Sequence, residues 1–182
     1  PYYSFAMTKN NHAFVSNGLS ALLPRLWRFA YTLSHSPDIA EDLVQAACVR
    51  ALERAEQFQQ GTNLDRWVFT ILSSIWKNQL RANAIRQGQG HVPAEDVLTI
   101  DGRRMADANI ELQQVLKQIQ GLPEAQRVTV LLVYVEGQSY RDAAEVLEIP
   151  IGTVMSRLAA ARASLGRLQK DMSDDGSPLG NG

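Results

Sequence analysis

The sequence has very little of what catalysis, metal binding and covalent cross-linking require. It contains one cysteine, Cys48, among 182 residues, which excludes an internal disulfide and a cysteine-based zinc site. Its three histidines, His12, His35 and His91, are scattered, and no glycine-rich phosphate loop, HExxH motif or nucleophile elbow occurs. We therefore expect a protein that is not an enzyme and that binds no metal and no cofactor.

Long apolar runs are also missing. No stretch approaches the ~20 apolar residues that a transmembrane helix needs, and the chain does not open with the basic and apolar segments of a signal peptide. The single cysteine weakly indicates a reducing compartment. These features predict a cytoplasmic protein without membrane insertion of its own.

The formal net charge of −1 conceals a division of the chain into basic and acidic segments. Residues 19–86 and 112–170 each carry two more basic than acidic side chains, whereas residues 87–111 and 171–182 each carry three more acidic than basic ones. Clustered charge matters more than the sum for a polyanionic partner. The pattern predicts two mildly basic bodies, an acidic linker of roughly twenty residues and a disordered acidic tail.

Apolar residues recur at helical spacing nearly throughout, and no strand pattern or repeat occurs. The first body is predicted to hold three helices. The first spans residues 19–33, where Pro24 fits only near the start or at a kink. The second runs from the Ser-Pro-Asp cap at 36–38 to about Phe58. The third follows Asn63 and continues to about Ile85.

The second body is predicted to hold four helices. The first runs from Leu112 to a stop at Gly121, and Pro123 begins the next. That helix is expected to turn four apolar side chains inward: Val128, Leu131, Leu132 and Val135. A capping box at 139–142 opens a short third helix, and the last helix runs from Gly152 to about Lys170. The fold class is therefore all-α, with two small helical domains joined by a flexible linker.

The last two helices, with the tight turn between them, form a helix-turn-helix. At 3.6 residues per turn, Thr153, Ser156 and Ala160 face away from the apolar side, with Arg157 on the flank. Small hydroxyl side chains and one arginine suit entry into the DNA major groove, and Arg162, further along, suits a phosphate. An ordinary helical hairpin with a solvated basic face is the alternative.

The third helix carries two tryptophans with different expected roles. Trp67 shares the apolar side and is expected in the core. Trp76 neighbours Lys77, Asn78 and Arg81, and an aromatic ring with basic and amide groups can hold unstacked bases. The same residues fit an ordinary amphipathic edge equally well. On the second helix, Asp42, Gln45 and Arg50 form either a partner-binding face or a simple complement to the helix dipole.

Together, the two bodies resemble the bacterial extracytoplasmic-function (ECF) sigma factors of the sigma-70 family. The segments "AEDLVQAACVRAL" and "WVFTILSSIWKNQLR" resemble the first domain of that family, and "LPEAQRVTVLLVYVEGQSYRDAAEVLEIPIGTVMSRLAAARASL" resembles the second. The resemblance implies a sigma-2-like domain of three to four helices over 19–86, a flexible acidic linker over 87–111 and a sigma-4-like helix-turn-helix domain over 112–170.

The resemblance also implies a function: directing bacterial core RNA polymerase to promoter DNA. The minus-35 element would be read by Thr153, Ser156 and Arg157, with backbone contacts from Arg141 and Arg162. The minus-10 element would be engaged by the loop around Asn63 and by a group on the third helix that traps a flipped base: Ser74, Trp76, Lys77, Asn78 and Arg81. Core polymerase would bind Asp42, Gln45 and Arg50. An anti-sigma factor, membrane-anchored or soluble, would cover these surfaces.

The alternative from another class is a stand-alone helix-turn-helix transcriptional regulator with a sensory or dimerising first domain. The segment from Trp67 to Arg81 favours the sigma factor, because a regulator that binds closed duplex does not need to hold single-stranded bases. An enzyme lacks any supporting motif.

Overall fold

The described elements of the protein are all helical. The computed structural model describes residues 2–86 and 118–174, with side chains for 11–86 and 118–166. The elements, in chain order, are α1 (Tyr2–Ser34), α2 (Pro37–Glu53), a 3₁₀ turn (Ala55–Gln57), α3 (Leu64–Arg86), α4 (Glu124–Val130), a π-helical turn (Leu131–Val135), α5 (Tyr140–Leu147) and α6 (Ile151–Asp174). The prediction of an all-α protein with two helical domains is confirmed. The linker 87–111 lies outside the described residues.

Helix α1 begins well before the predicted start at residue 19. Its apolar stripe extends back to Val15, which is fully buried beside Leu19 and Leu22 at the i, i+4, i+7 spacing of one helix face. Pro24 lies in the helix interior, so the option of a position near the start is wrong. Because a proline has no N–H, one intrahelical hydrogen bond is missing at this point.

The core of the first domain lies where α1, α2 and α3 pack together. Phe29 of α1 meets Phe69 of α3 edge to face, with ring centroids 5.2 Å apart, and both are fully buried. Ser36 begins α2 as predicted, because its hydroxyl accepts a hydrogen bond from the backbone N–H of Ile39. Gly18 lets α1 approach the start of α3, since a Cβ at that position would collide with the Leu64 side chain.

The second domain packs α4, α5 and α6 around a smaller core. The predicted helix after Pro123 changes to π-helical geometry at Leu131, which adds residues to a turn and rotates the positions that follow. The prediction that Val135 points inward is therefore wrong, because its side chain is 53% exposed. Thr129 and Val130 are buried beside Val128 instead.

The last helix runs four residues further than predicted, to Asp174. The predicted disordered tail over 171–182 is therefore too long, because residues 171–174 continue the helix before the glycine at 176. Residues 175–182, like most of the predicted helix 112–121, lie outside the described residues.

Candidate nucleic-acid interface

The turn between α5 and α6 is defined by local hydrogen bonds and one left-handed residue. The backbone N–H of Asp142 donates to Ser139 Oγ at 3.0 Å, which caps α5. Glu148 ends that helix with φ 54°, and the carbonyl of Pro150 accepts from the N–H of Val154 at 3.3 Å to begin α6. The left-handed residue reverses the chain, so that α6 can pack against α5.

One face of α6 is buried and the opposite face is open, as the helical spacing predicts. Val154, Leu158 and Ala161 are buried, whereas Ser156 and Ala160 are exposed and Thr153 and Arg157 are half-buried. The Ser156 hydroxyl donates to the Thr153 carbonyl at 3.1 Å, which leaves its oxygen able to accept. Among the described residues no carboxylate pairs with Arg157.

Two further arginines flank this face. The Arg141 side chain is 85% exposed, and its Nε lies 3.8 Å from Glu145 Oε1, one turn along α5. Arg162 donates to the Tyr134 hydroxyl at 3.0 Å. Hydrogen bonds to Tyr140 and to Tyr134 raise the pKa of Arg162, which remains a cation. That these two side chains contact phosphates stays a prediction.

The second predicted surface lies along α3. Ser74, Asn78 and Arg81 follow one another at i, i+4, i+7, and Asn78 Oδ1 accepts from Arg81 Nη1 at 3.3 Å. Trp76 is half-buried and packs on the core, so part of its ring remains accessible. Asn63 lies just before the helix and eleven positions before Ser74. At 1.5 Å per residue that is about 16 Å along the axis, so Asn63 is not part of the same patch.

Lys77 is not free in this arrangement, although it is predicted to face DNA. Its Nζ donates to the Leu147 carbonyl at 2.7 Å and lies 2.9 Å from Glu148 Oε2. Both partners belong to the end of α5, in the second domain. One cation of the predicted minus-10 surface is thus covered by the helix-turn-helix, whereas Asn78 and Arg81 stay exposed.

The two domains touch through a larger set of ion pairs. Glu136, whose side chain is 0% exposed, accepts from Arg25 Nε at 2.6 Å and from Arg28 Nη2 at 2.9 Å. Asp65 bridges Arg25 at 3.0 Å and the Gln138 amide at 2.9 Å. Nothing local in the sequence predicts this contact. The one related feature of the sequence is that the helix carrying Arg25 and Arg28 has no acidic residues.

Two further sets of contacts join the domains. Arg66 Nη1 is 3.1 Å from both Asp142 Oδ1 and Glu145 Oε2. Arg127 Nη2 lies 3.0 Å from His35 Nε2. Burial, followed by the charge of Arg127, lowers the pKa of His35, so the neutral imidazole accepts this hydrogen bond.

The predicted polymerase-binding residues lie on the outer side of α2. Asp42 and Gln45 are exposed and Arg50 is half-buried. Val49, in the same stretch, is 55% exposed, which adds an apolar contact to a polar face. Leu43 and Ala47 of this helix are buried in the core. The outer side of the helix therefore presents an exposed apolar side chain among polar ones.

Within the described ranges, no helix is long and apolar enough to span a membrane, and no cluster of three potential metal-ligating side chains occurs. Two family models match the chain, in order. Residues 19–85 match Sigma-70 region 2, and residues 112–165 match Sigma-70, region 4.

Curated relatives cover most of the chain. The ECF RNA polymerase sigma factor EcfG of Rhodopseudomonas palustris is 34% identical over 148 residues, 81% of this chain and 81% of that protein. The RNA polymerase sigma-H factor of Pseudomonas aeruginosa is 32% identical over 142 residues, 72% of this chain and 73% of that protein.

Two solved structures share the fold. The sigma factor RpoE from Bartonella quintana, in complex with the anti-sigma factor NepR, has a TM-score of 0.69 and 35% identity, covering 85% of this chain and 96% of that one. CnrH, in complex with the cytosolic domain of CnrY, has a TM-score of 0.58 and 19% identity, covering 91% and 96%. None of these matches supports a stand-alone regulator. With both regions present in order on one chain, the protein belongs to the ECF RNA polymerase sigma factors of the sigma-70 family, which are transcription initiation factors.

Proposed function

We propose that α6 reads the minus-35 element and α3 engages the minus-10 element of the same promoter. The observation that carries the proposal is the open face at the start of α6, which offers small polar side chains and one arginine and no acid. Thr153 and Ser156 supply hydroxyl groups for base edges, and Arg157 can bond bidentately to guanine. Arg141 and Arg162 then hold the phosphates on either side.

On α3, the proposed minus-10 surface combines three kinds of contact. Arg81 and Lys77 supply positive charge, Asn78 and Ser74 supply hydrogen bonds, and the accessible part of Trp76 supplies a stacking face. An aromatic ring beside amide and basic groups can hold a base that has left the duplex, which favours melting. Asn63, about 16 Å further along the axis, would contact a different nucleotide.

The test of this proposal is transcription with purified core polymerase on a library of promoters. The wild-type protein should select one minus-35 and one minus-10 sequence. Arg157→Ala should cost about 1–3 kcal/mol in minus-35 recognition and relax selectivity at one base pair. Arg141→Ala, as a matched control, should weaken binding about equally for every sequence, because a phosphate contact carries no sequence information.

The outcomes are distinct. An absence of specific initiation by the wild-type protein would end the proposal as a whole. An unchanged promoter preference for Arg157→Ala would remove only the assignment of that residue to base reading.

We also propose that the outer face of α2 binds core polymerase through Asp42, Gln45 and Arg50, on the clamp coiled coil of the largest subunit. The exposed Val49 side chain supports this, because protein interfaces place an apolar contact within a polar rim.

Changing this face should separate polymerase binding from DNA binding. The double variant Asp42→Ala/Gln45→Ala should bind core polymerase roughly tenfold more weakly. A loss of this size is typical when interface side chains are truncated to alanine. Binding of minus-35 duplex by the same full-length variant should stay unchanged, because α6 lies in the other domain. Pull-down with core polymerase and anisotropy with labelled duplex measure the two effects. A parallel loss of both would indicate general unfolding rather than a local interface.

Regulation by an anti-sigma factor is the third part of the proposal. The relative with 35% identity is bound to such a factor in its solved structure. Each of the two family models matches less than half of this chain. The superposition on that structure covers 85% of the chain at a TM-score of 0.69, so it includes both domains. A partner that binds both domains at once would keep the two DNA-facing surfaces from reaching a promoter. We expect the protein to work in the cytoplasm, where the polymerase is.

A further inference from the structure

We infer that residues 11–18 of α1 brace the loop between the 3₁₀ turn and α3, and that Asn11 is thereby a positioning residue for minus-10 selectivity. This rests on the proposed function, because it uses the assignment of Asn63 to a nucleotide of the minus-10 element. The bracing segment precedes residues 19–85, which match Sigma-70 region 2. Three of its residues form the brace: Asn11, Phe14 and Gly18.

The Asn11 side chain holds the loop with both ends of its amide group. Its Nδ2 donates to the Phe58 carbonyl at 3.1 Å, and its Oδ1 accepts from Gln60 Nε2 at 2.6 Å. An amide side chain combines a donor and an acceptor, so alanine at this position makes neither bond. One side chain of α1 therefore fixes two positions of the loop, 47 and 49 residues further along the chain.

Two more residues on the same side of α1 secure the two ends of the loop. Phe14 and Gly18 follow Asn11 by three and seven positions, which places all three on one helix face. Phe14 stacks on Phe58, where the loop begins, with ring centroids 5.7 Å apart. Gly18 lets α1 lie against Leu64, the first residue of α3, because a Cβ at that glycine would collide with the leucine side chain. The loop is therefore anchored on α1 where it begins and where it ends.

The part of the loop between these anchors is exposed. Residues 59–63 all face solvent, and Gly61 turns the chain with φ 95°. The backbone N–H and the hydroxyl of Thr62 both donate to the Gln59 carbonyl, at 3.2 and 2.7 Å. These bonds shape the turn without tying it to the rest of the domain. The position of Asn63, at the end of this turn, therefore depends on the anchors.

Bracing affects selectivity because it orders the loop before DNA binds. Fixing the residues of a free loop costs conformational entropy, and a braced loop has lost that entropy before it meets its partner. A free loop also presents Asn63 in several positions, which meet a wrong base as readily as the right one, whereas a recognition group selects well only when its supports hold it. Release of the brace should therefore lower discrimination at the nucleotide that Asn63 contacts.

The experiment is transcription with purified core polymerase on pairs of promoters that differ at one base pair of the minus-10 element. Asn63→Ala first identifies the base pair that the loop reads, as the position at which the preference is lost. Asn11→Ala should lower the ratio of the two transcripts at this position roughly fivefold, the effect of losing about one net hydrogen bond. Ratios for pairs that differ in the minus-35 element should stay unchanged. A protein that was merely less stable would lose transcription from both promoters of a pair alike.

Two further variants make the test specific. Gln60→Ala removes the partner of Asn11 Oδ1, and the double variant Asn11→Ala/Gln60→Ala should lose less than the product of the two single effects, because residues in contact are not additive. His12→Ala is the matched control. His12 is exposed and lies about 100° round the helix from Asn11, so the same truncation should leave every ratio unchanged.

Hydrogen exchange of the free full-length protein tests the brace without DNA or polymerase. In Asn11→Ala, the amides of residues 59–63 should exchange roughly fivefold faster than in the wild type. The amides of α2 and α3 should keep the wild-type rate, and His12→Ala should match the wild type throughout.

The outcomes separate the brace from the proposed function. The brace is overturned if Asn11→Ala leaves exchange in the loop unchanged, or if exchange rises throughout the first domain. Faster exchange in the loop with an unchanged minus-10 preference would overturn the role of Asn11 in selectivity. If Asn63→Ala affects no base pair, the proposed assignment of Asn63 fails and the selectivity role of Asn11 fails with it, while the exchange measurement still decides the brace.

Discussion

Replacing Phe69 with alanine is expected to lower the free energy of unfolding of the first domain by about 3–5 kcal/mol. The ring is fully buried, meets Phe29 edge to face at 5.2 Å and lies 5.5 Å below the Arg25 guanidinium. The substitution removes these contacts and leaves a cavity between α1 and α3, which the surrounding helices can fill only in part.

The three tryptophans of the chain make this measurement specific. Trp27, Trp67 and Trp76 all belong to the first domain, so urea-induced changes in tryptophan emission report the unfolding of that domain. Phe14→Ala is the matched control. Phe14 is 46% exposed and stacks on Phe58 at 5.7 Å, so its loss should cost about 1 kcal/mol. Equal effects of the two substitutions would contradict the described core.

The second large effect is expected for Leu158→Ala in the recognition helix. Leu158 is fully buried and holds α6 on the rest of the second domain. Truncating a buried leucine costs about 2–5 kcal/mol, which is a large part of the stability of so small a core. We expect the second domain to unfold first and minus-35 recognition to be lost, while the first domain keeps its fold.

Circular dichroism and tryptophan emission together test this prediction. For Leu158→Ala, part of the helical signal should be lost at a lower urea concentration than the tryptophan transition. Met155 lies three residues before Leu158 on the same helix but is 53% exposed. Met155→Ala should therefore change the free energy of unfolding by less than about 0.5 kcal/mol. Coincident transitions in the Leu158→Ala variant would mean that the two domains unfold as one unit.

Much of the helical structure follows from short stretches of sequence. The Ser36 and Ser139 caps, the stop at Gly137 (φ 69°) and the inner stripe of α6 are local features, because each involves residues within a few turns of one another. Helix spacing alone also identifies the open face with Ser156 and Arg157. Where local reasoning was wrong, at Val135, a change to π-helical geometry rotated the side chains, and no spacing rule anticipates such a change.

The sequence by itself determined the helical class of the protein, the two basic bodies and the small polar face of the recognition helix, since these depend on spacing and composition along one segment. Only the tertiary structure decided that Lys77 pairs with Glu148 and that Glu136 is buried between two arginines. The Arg25–Glu136 pair joins residues 111 positions apart. The partners of a charged side chain at such separations depend on how whole helices pack against each other, and no local pattern of residues records that packing.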